Sequence, residues 1–105
     1  MTQTIDEVKT GEDISTQPPY NVILLDDSFH TYYYVINMLR ILFGYDELRA
    51  FKLAEEVDDT GRVIVYTGAK ETAELKRDQI HSWGADRRLL KSKGSMSATI
   101  EPAPG

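Results

Sequence analysis

Apolar patterns typical of β-strands occur in three places along the chain, two as continuous runs and one as an alternation. Tyr20–Leu25 is an apolar, partly β-branched run that stops at a pair of aspartates, which predicts a strand entering a polar loop. Residues 63–66 form a second short apolar run, which we interpret as the central strand of the sheet. Met96, Ala98 and Ile100 alternate with polar residues, as in a last, half-buried strand.

Three further stretches carry apolar residues at the spacing of an amphipathic helix. Thr31 is a suitable N-cap for the first helix and Gly44 a suitable stop, while residues 58–61 end the second and Thr67 precedes the third. The apolar stripes are, in chain order, Val35, Ile36, Leu39 and Leu42, then Ala50, Leu53, Ala54 and Val57, then Ala73, Ile80 and Trp83. The order strand, helix, helix, strand, helix, strand predicts an α+β domain with one small sheet covered by helices on one face.

The beginning of the chain differs from the rest. Residues 1–19 are polar and partly acidic, show no sustained apolar period and end in a stiff Pro18-Pro19 step. We therefore predict a flexible tail over residues 1–19 and a folded domain over residues 20–103.

Composition excludes several classes of protein. The 105 residues include no cysteine, which rules out disulfides and zinc–thiolate sites. We expect a cytoplasmic protein with no membrane partner, because no apolar run is long enough to span a bilayer and the first residues lack the apolar core of a secretory signal. The net charge of −5 disfavours nucleic acid as a partner and favours cationic groups, including protonated amines.

Two pairs of aspartates stand at the ends of predicted elements. Asp26 and Asp27 follow the first strand, and Asp58 and Asp59 end the second helix. If that helix packs beside that strand, the carboxylates form a cluster that attracts a metal ion, a basic side chain or an ammonium group. The plainer interpretation is that they are solvated turn formers. The residues alone leave both interpretations open.

A catalytic interpretation finds little support. Asp26, Ser28 and His30 are the residue types of a hydrolytic triad, but they lie within one short segment, whereas a triad converges from separate segments. The chain has no G-x-S-x-G elbow, no glycine-rich phosphate loop and no calcium-loop spacing. We therefore expect no catalytic residue, no bound metal and no cofactor.

Two other features bear on binding. Tyr32, Tyr33 and Tyr34 are consecutive, and at ~100° per residue their rings fan around a helix, so at least one is exposed or lines a groove. Residues 85–94 form a basic loop, which is either a docking site for an acidic partner or a solvated connection.

The stretch PPYNVILLDDS at residues 18–28 resembles the opening of the ClpS family, the adaptors of bacterial Clp proteases. Domains of that family begin with a proline-rich hinge followed by Y-x-V-x-L-x-N-D-D. The similarity continues through Val35-Ile36, Tyr45-Asp46 and Gly61-Arg62 and closes at Thr99-Ile100-Glu101, which resembles the family's T-L-E. It covers most of the chain, although the basic loop is longer than in typical members.

The resemblance implies a three-stranded antiparallel sheet covered by three helices and a non-catalytic adaptor function. Members of the family bind a Leu, Phe, Tyr or Trp at the free N-terminus of a substrate protein, an N-degron. Polar side chains at the ends of the first strand and second helix hold the α-amine, and the first side chain enters an apolar pocket. The tail engages a Clp AAA+ unfoldase of the ClpA or ClpC type and helps delivery.

Position by position, the resemblance places the amine-binding residues at Asp26, Asp27 and Asp58. Asp26 replaces the family's asparagine and Asp58 its histidine, so three carboxylates are expected around the three donors of an ammonium. The pocket for the first side chain is implied to comprise Ser28, His30, Tyr32, Val35, Ala54, Val57 and Met96. Contacts with the unfoldase fall on Glu71 and Lys76.

The departures from the family pattern affect specificity. Tyr32 and Ala54 stand where the family has methionines, and Ser28 stands where it has a second aspartate. Ala54 enlarges the implied pocket and Tyr32 narrows it, so we expect bulky hydrophobic first residues, with a basic first residue left open. The alternatives are a ClpS-like module with altered specificity or a non-Clp partner, a relative of the C-terminal domain of the ribosomal stalk protein, whose fold is similar, and a metal-dependent enzyme.

Overall fold

The computed structural model describes residues 17–104, which form three strands and three helices in the predicted order. Residues 1–16 of the predicted tail lie outside the described residues. The elements are β1 (Tyr20–Leu25), α1 (Tyr32–Phe43), α2 (Glu47–Thr60), β2 (Arg62–Gly68), α3 (Lys70–His81) and β3 (Ser97–Pro102). The α+β class predicted from the hydrophobic pattern is confirmed.

The sheet is antiparallel and has the strand order β2-β1-β3. β1 is therefore the central strand, and the prediction that residues 63–66 form the central strand was wrong. The reason is that this run alternates between two environments: Val63 and Val65 are buried, whereas Ile64 between them is 47% exposed. A continuous apolar run in an edge strand of a sheet with one covered face can thus imitate a central strand.

The core lies between the helices and one face of the sheet. Alternate residues of the three strands supply the sheet side, among them Val22 and Leu24 from β1 and Ala98 from β3. Met38 and Leu39 of α1 are fully buried against them. The core cluster also contains Tyr34, Val35, Ala50, Leu53, Ala54, Val57, Val63, Val65, Ala73, Ile80 and Met96. No helix in residues 17–104 combines the length and apolar character needed to cross a membrane.

Capping residues set the helix bounds that position the site. The Thr31 side chain caps α1 by accepting a hydrogen bond from the backbone N–H of Tyr34, as predicted. Gly44 and Gly61 end α1 and α2 with φ angles of 75° and 90°, a left-handed conformation that disfavours residues with a Cβ. The chain can therefore turn from α2 directly into β2.

Candidate functional site

The end of β1 meets the end of α2 at one edge of the domain. Leu25, the last residue of β1, pairs with Arg62, the first residue of β2. The backbone N–H of Asp26 then donates a 3.0 Å hydrogen bond to the carbonyl of Gly61. Because Gly61 caps α2, this bond fixes the segment that carries Asp26 and Asp27 beside the helix end that carries Asp58.

Asp58 is bonded to the first residue of α1. The hydroxyl of Tyr32 donates a 2.9 Å hydrogen bond to Oδ2 of Asp58. This bond, with the negative charge of the α2 end, raises the pKa of Tyr32 to about 12, so the hydroxyl stays a donor at neutral pH. The ring of Tyr32 lies 5.9 Å from that of Phe51 and is 37% exposed. Of the tyrosine triplet, Tyr33 is also exposed and Tyr34 is buried, so the prediction of an exposed ring is confirmed.

Asp27 is held by the loop that follows it. Nδ1 of His30 lies 2.8 and 2.9 Å from the two carboxylate oxygens of Asp27, and the N–H of Phe29 donates to Oδ1 at 2.8 Å. Nε2 of His30 lies 2.7 Å from the carbonyl oxygen of Gly94. Both ring nitrogens face acceptors, so both bonds form together only when the ring carries two protons. His30 thus orients the Asp27 carboxylate rather than lining an apolar wall.

The three candidate amine ligands do not share one partner in the structure. Asp27 is bonded to His30 and Asp58 to Tyr32. Across residues 17–104, no three histidine or acidic side chains lie close enough together to hold a metal ion. The loop that carries Asp26 and Asp27 therefore lies beside the helix end that carries Asp58, but the three carboxylates do not meet at one point.

The apolar residues of the predicted pocket belong to the core. Val35, Ala54, Val57 and Met96 are each at most 5% exposed and pack in the core cluster. Ser28 is exposed in the loop before α1. An incoming side chain can reach these four core residues only if a neighbouring side chain moves aside.

The segment between α3 and β3 contains a residue that the sequence did not single out. Asp86, only 1% exposed, accepts hydrogen bonds from the backbone N–H of Thr31 at 2.6 Å, from its hydroxyl at 2.8 Å and from the N–H of Arg88 at 3.0 Å. Burial alone would raise the pKa of Asp86, but these bonds lower it below its usual value. The only available signal was one acidic residue inside an otherwise basic loop.

The same segment covers the start of α1 with aromatic contacts. The guanidinium of Arg88 lies 3.6 Å from the ring centroid of Tyr33, and Nζ of Lys91 lies 5.7 Å from that of Phe29. The Tyr34 hydroxyl donates to the carbonyl of Gly84, and burial raises its pKa. The basic loop predicted over residues 85–94 is therefore packed against the start of α1.

A cavity of about 670 Å³ lies between this segment and the loop after β1. It is lined by Asp27, Phe29, His30, Lys91, Lys93, Gly94, Ser95 and Ser97. Asp27 therefore belongs both to the candidate amine site and to the wall of this cavity.

Comparison with known proteins decides the family. A family model described as "ATP-dependent Clp protease adaptor protein ClpS" matches residues 15–89 of the chain. The chain belongs to the ClpS family. The match covers all of the described elements except β3, and the proteins of this family are named as adaptors, not as enzymes.

Individual ClpS proteins agree with this assignment. The ClpS of Mycobacterium marinum is 34% identical over 70 residues, which are 67% of this chain and 69% of that protein. The ClpS of Synechocystis is 36% identical over 70 residues, 66% of this chain and 71% of that protein. The structure of Agrobacterium tumefaciens ClpS2 bound to L-phenylalaninamide covers 82% of this chain and 98% of that one with a TM-score of 0.71. At 21% sequence identity, this last likeness shows the ClpS fold.

The two residues that the ClpS resemblance assigned to unfoldase contact have different surroundings. Glu71 is exposed in the first turn of α3. Lys76 is half-buried: its Nζ donates a 2.6 Å hydrogen bond to the carbonyl of Leu42 and lies 5.4 Å from the ring centroid of Phe43. Lys76 thus ties α3 to the end of α1, and Glu71 is the exposed residue of the two.

Proposed function

We propose that this ClpS family member binds proteins whose free N-terminus begins with a bulky hydrophobic residue and delivers them to a Clp AAA+ unfoldase in the cytoplasm. The observation that supports the proposal is the 3.0 Å hydrogen bond from the backbone N–H of Asp26 to the carbonyl of Gly61, which joins the segment of Asp26 and Asp27 to the helix end that carries Asp58. The structure of A. tumefaciens ClpS2, which is bound to L-phenylalaninamide, also supports the binding of a hydrophobic first residue.

In this proposal the α-amine of the substrate binds among Asp26, Asp27 and Asp58. An ammonium has three donors and no acceptor, and charge-assisted hydrogen bonds to carboxylates are among the stronger polar contacts in proteins. The chain carries a net charge of −5, which attracts a cationic N-terminus at longer range. Asp58 becomes available to the amine when the Tyr32 hydroxyl gives up its hydrogen bond.

The first side chain of the substrate would enter beside Tyr32. When the Tyr32 ring leaves its place next to Phe51, the apolar walls offered to the substrate are Val35, Ala54, Val57 and Met96. The small side chain of Ala54 leaves room for a large substrate residue.

The exposed carboxylates favour a second possibility, a basic first residue, because Asp26 and Asp58 are exposed to solvent.

Delivery would use surfaces away from this site. Glu71 on α3 is the proposed contact with the unfoldase, with Lys76 holding α3 in position, and residues 1–19 are the proposed tail that the unfoldase engages.

Removing residues 1–16 should leave peptide binding intact and abolish the degradation of a Phe-initiated reporter by a ClpA- or ClpC-type protease.

A panel of labelled peptides that differ only in their first residue tests the binding proposal. Fluorescence anisotropy should give micromolar or tighter binding for Phe, Leu, Tyr or Trp, and roughly tenfold or greater loss when the Phe peptide is N-acetylated. Preferential binding of an Arg-initiated peptide would instead select the basic alternative. Equal binding of the free and acetylated Phe peptides would refute amine recognition.

A further inference from the structure

The 670 Å³ cavity next to Asp27 has the size of a ligand site and lies where a bound polypeptide would continue. Ser97 in its wall is the first residue of β3 and pairs with Leu25, the residue before Asp26. The cavity therefore opens at the same end of the sheet as the proposed amine site. An extended chain advances ~3.4 Å per residue, so the second and third residues of a substrate held at Asp27 fall within or beside it.

The charge of this cavity is opposite to that of the molecule. Lys91 and Lys93 line it in a chain whose net charge is −5. Within residues 17–104 neither lysine forms an ion pair, and the one carboxylate in the wall, Asp27, is already bonded to His30. Asp86, the one acidic residue of the basic loop, is buried and bonded to Thr31. The two ammonium groups are therefore available to an incoming anion.

The segment that carries these lysines is fixed in place. The hydroxyl of Ser92 accepts a 2.8 Å hydrogen bond from the N–H of Asp86, and the hydroxyl of Ser95 accepts one of 2.6 Å from the N–H of Gly84. The His30 ring bonds to the carbonyl of Gly94. Both lysines lie beyond residue 89, where the match to the ClpS family model ends.

We infer that this cavity receives the second and third residues of the bound polypeptide and selects acidic side chains there. The inference rests on the proposed function, because the amine at Asp27 sets where the following residues lie. Lys91 and Lys93 are specificity residues in this account: each offers a positive charge to an Asp or Glu side chain of the substrate.

Three peptides that begin with Phe and differ only in residues two and three, as Asp-Glu, Ser-Ser and Lys-Lys, test the inference on the full chain. In fluorescence anisotropy at low salt the acidic peptide should bind roughly three- to tenfold more tightly than the neutral one, and the ratio should shrink with added salt. The basic peptide should bind most weakly. Equal affinities for the three peptides would overturn the inference and leave the proposed function standing, whereas no binding of any of them would overturn both.

Charge variants identify the lysines as the source of the preference. The double variant K91Q/K93Q should lose the preference for the acidic peptide while its affinity for the neutral peptide stays the same, and K91E/K93E should prefer the basic peptide. R87Q is the matched control, since Arg87 is an exposed residue of the same loop outside the cavity wall. Thermal unfolding should show that all variants are folded. A preference that persists in K91Q/K93Q, or that R87Q abolishes equally, contradicts the inference.

Discussion

At the scale of single residues, the proposed site depends on which donor binds Asp58. Oδ2 of Asp58 accepts a hydrogen bond from the Tyr32 hydroxyl, and the apolar residues of the proposed pocket are buried. In the proposed function a substrate amine takes the same carboxylate, and a substrate side chain takes the space beside Tyr32. On this proposal Tyr32 lowers the affinity for every substrate by the free energy needed to displace its hydroxyl from Asp58.

Tyr32→Phe should tighten the binding of a Phe-initiated peptide roughly two- to fivefold, because Asp58 loses a competing donor while the aromatic ring is kept. Anisotropy titration of the variant and the parent measures this directly. Weaker binding by Tyr32→Phe would mean that the hydroxyl contacts the substrate itself.

Asp58→Asn should weaken the same peptide about tenfold, since the amide keeps an acceptor for Tyr32 but no longer carries the charge that holds an ammonium. Asp59→Asn is the matched control: it removes the same charge from the next residue, which is also exposed at the end of α2. Equal losses in the two variants would indicate a general effect of charge and would remove Asp58 from the binding site.

Sequence reasoning identified candidate positions at this scale but not their bonds. Asp26, Asp27 and Asp58 were recognisable because they lie at the ends of elements whose limits could be predicted. The bonds of Asp27 to His30 and of Asp58 to Tyr32 depend on loop geometry and side-chain rotamers, which no local pattern encodes. Asp86 was missed for the same reason, since its partner Thr31 lies 55 positions away in the chain.

At the scale of elements, the segment between α3 and β3 stabilises the start of α1. Asp86 holds Thr31, the N-cap residue, and its negative charge lies at the positive end of a helix that has no acidic residue in its first turn. The start of α1 also carries Tyr32, so this segment supports the binding site indirectly.

Asp86→Asn should lower the free energy of unfolding by about 2 kcal/mol at neutral pH, because a buried acceptor of three hydrogen bonds loses its charge. The folded protein lowers the pKa of Asp86 below the usual value of 3.8, so its contribution is complete above about pH 4 and is lost as the pH falls through the folded pKa. Urea unfolding should therefore show a difference between parent and variant that shrinks in acid.

Asp78→Asn is the control for this prediction, because Asp78 is exposed on α3 and, within residues 17–104, forms an ion pair only with its neighbour Arg77. Its effect should stay within about 0.5 kcal/mol at every pH. A difference between the parent and Asp86→Asn that grows in acid would contradict the account of the pKa.

Gly61→Ala should destabilise the domain by about 1–2 kcal/mol, since Gly61 adopts a φ angle of 90° at the junction that brings β1 to α2. Gly94→Ala is the control: a Cβ at either position meets no atom within 4 Å, but Gly94 has no positive φ. Chemical unfolding of the two variants separates the free-energy cost of a positive φ angle from that of steric contacts made by the added Cβ. Equal stability of the two variants would show that the backbone of Gly61 tolerates a side chain.

The elements were more predictable than their arrangement. Helical periodicity and capping residues such as Thr31 and Gly44 are local, so the sequence predicted where α1 begins and ends and where α2 ends. The position of β2 at the sheet edge is not local, because it depends on which strands pair with β1. The exposed Ile64 made an edge strand look like a central one.

At the scale of the whole molecule, the surfaces proposed for different roles differ in charge and position. Carboxylates lie where β1 and α2 end, the lysine-lined cavity adjoins them, and Glu71 lies on another helix. An adaptor has to hold its substrate and its unfoldase at the same time. The family assignment and the separation of these surfaces fit that requirement.

Nuclear magnetic resonance of the ¹⁵N-labelled chain titrated with L-phenylalaninamide tests the central claim that carboxylates from two joined segments hold a free amine. The account predicts that the backbone amide signals of residues 26–32 and 57–61 shift together as the ligand is added, and that the N-acetylated ligand shifts neither group. Shifts in only one of the two segments, or equal shifts with the acetylated ligand, would contradict it.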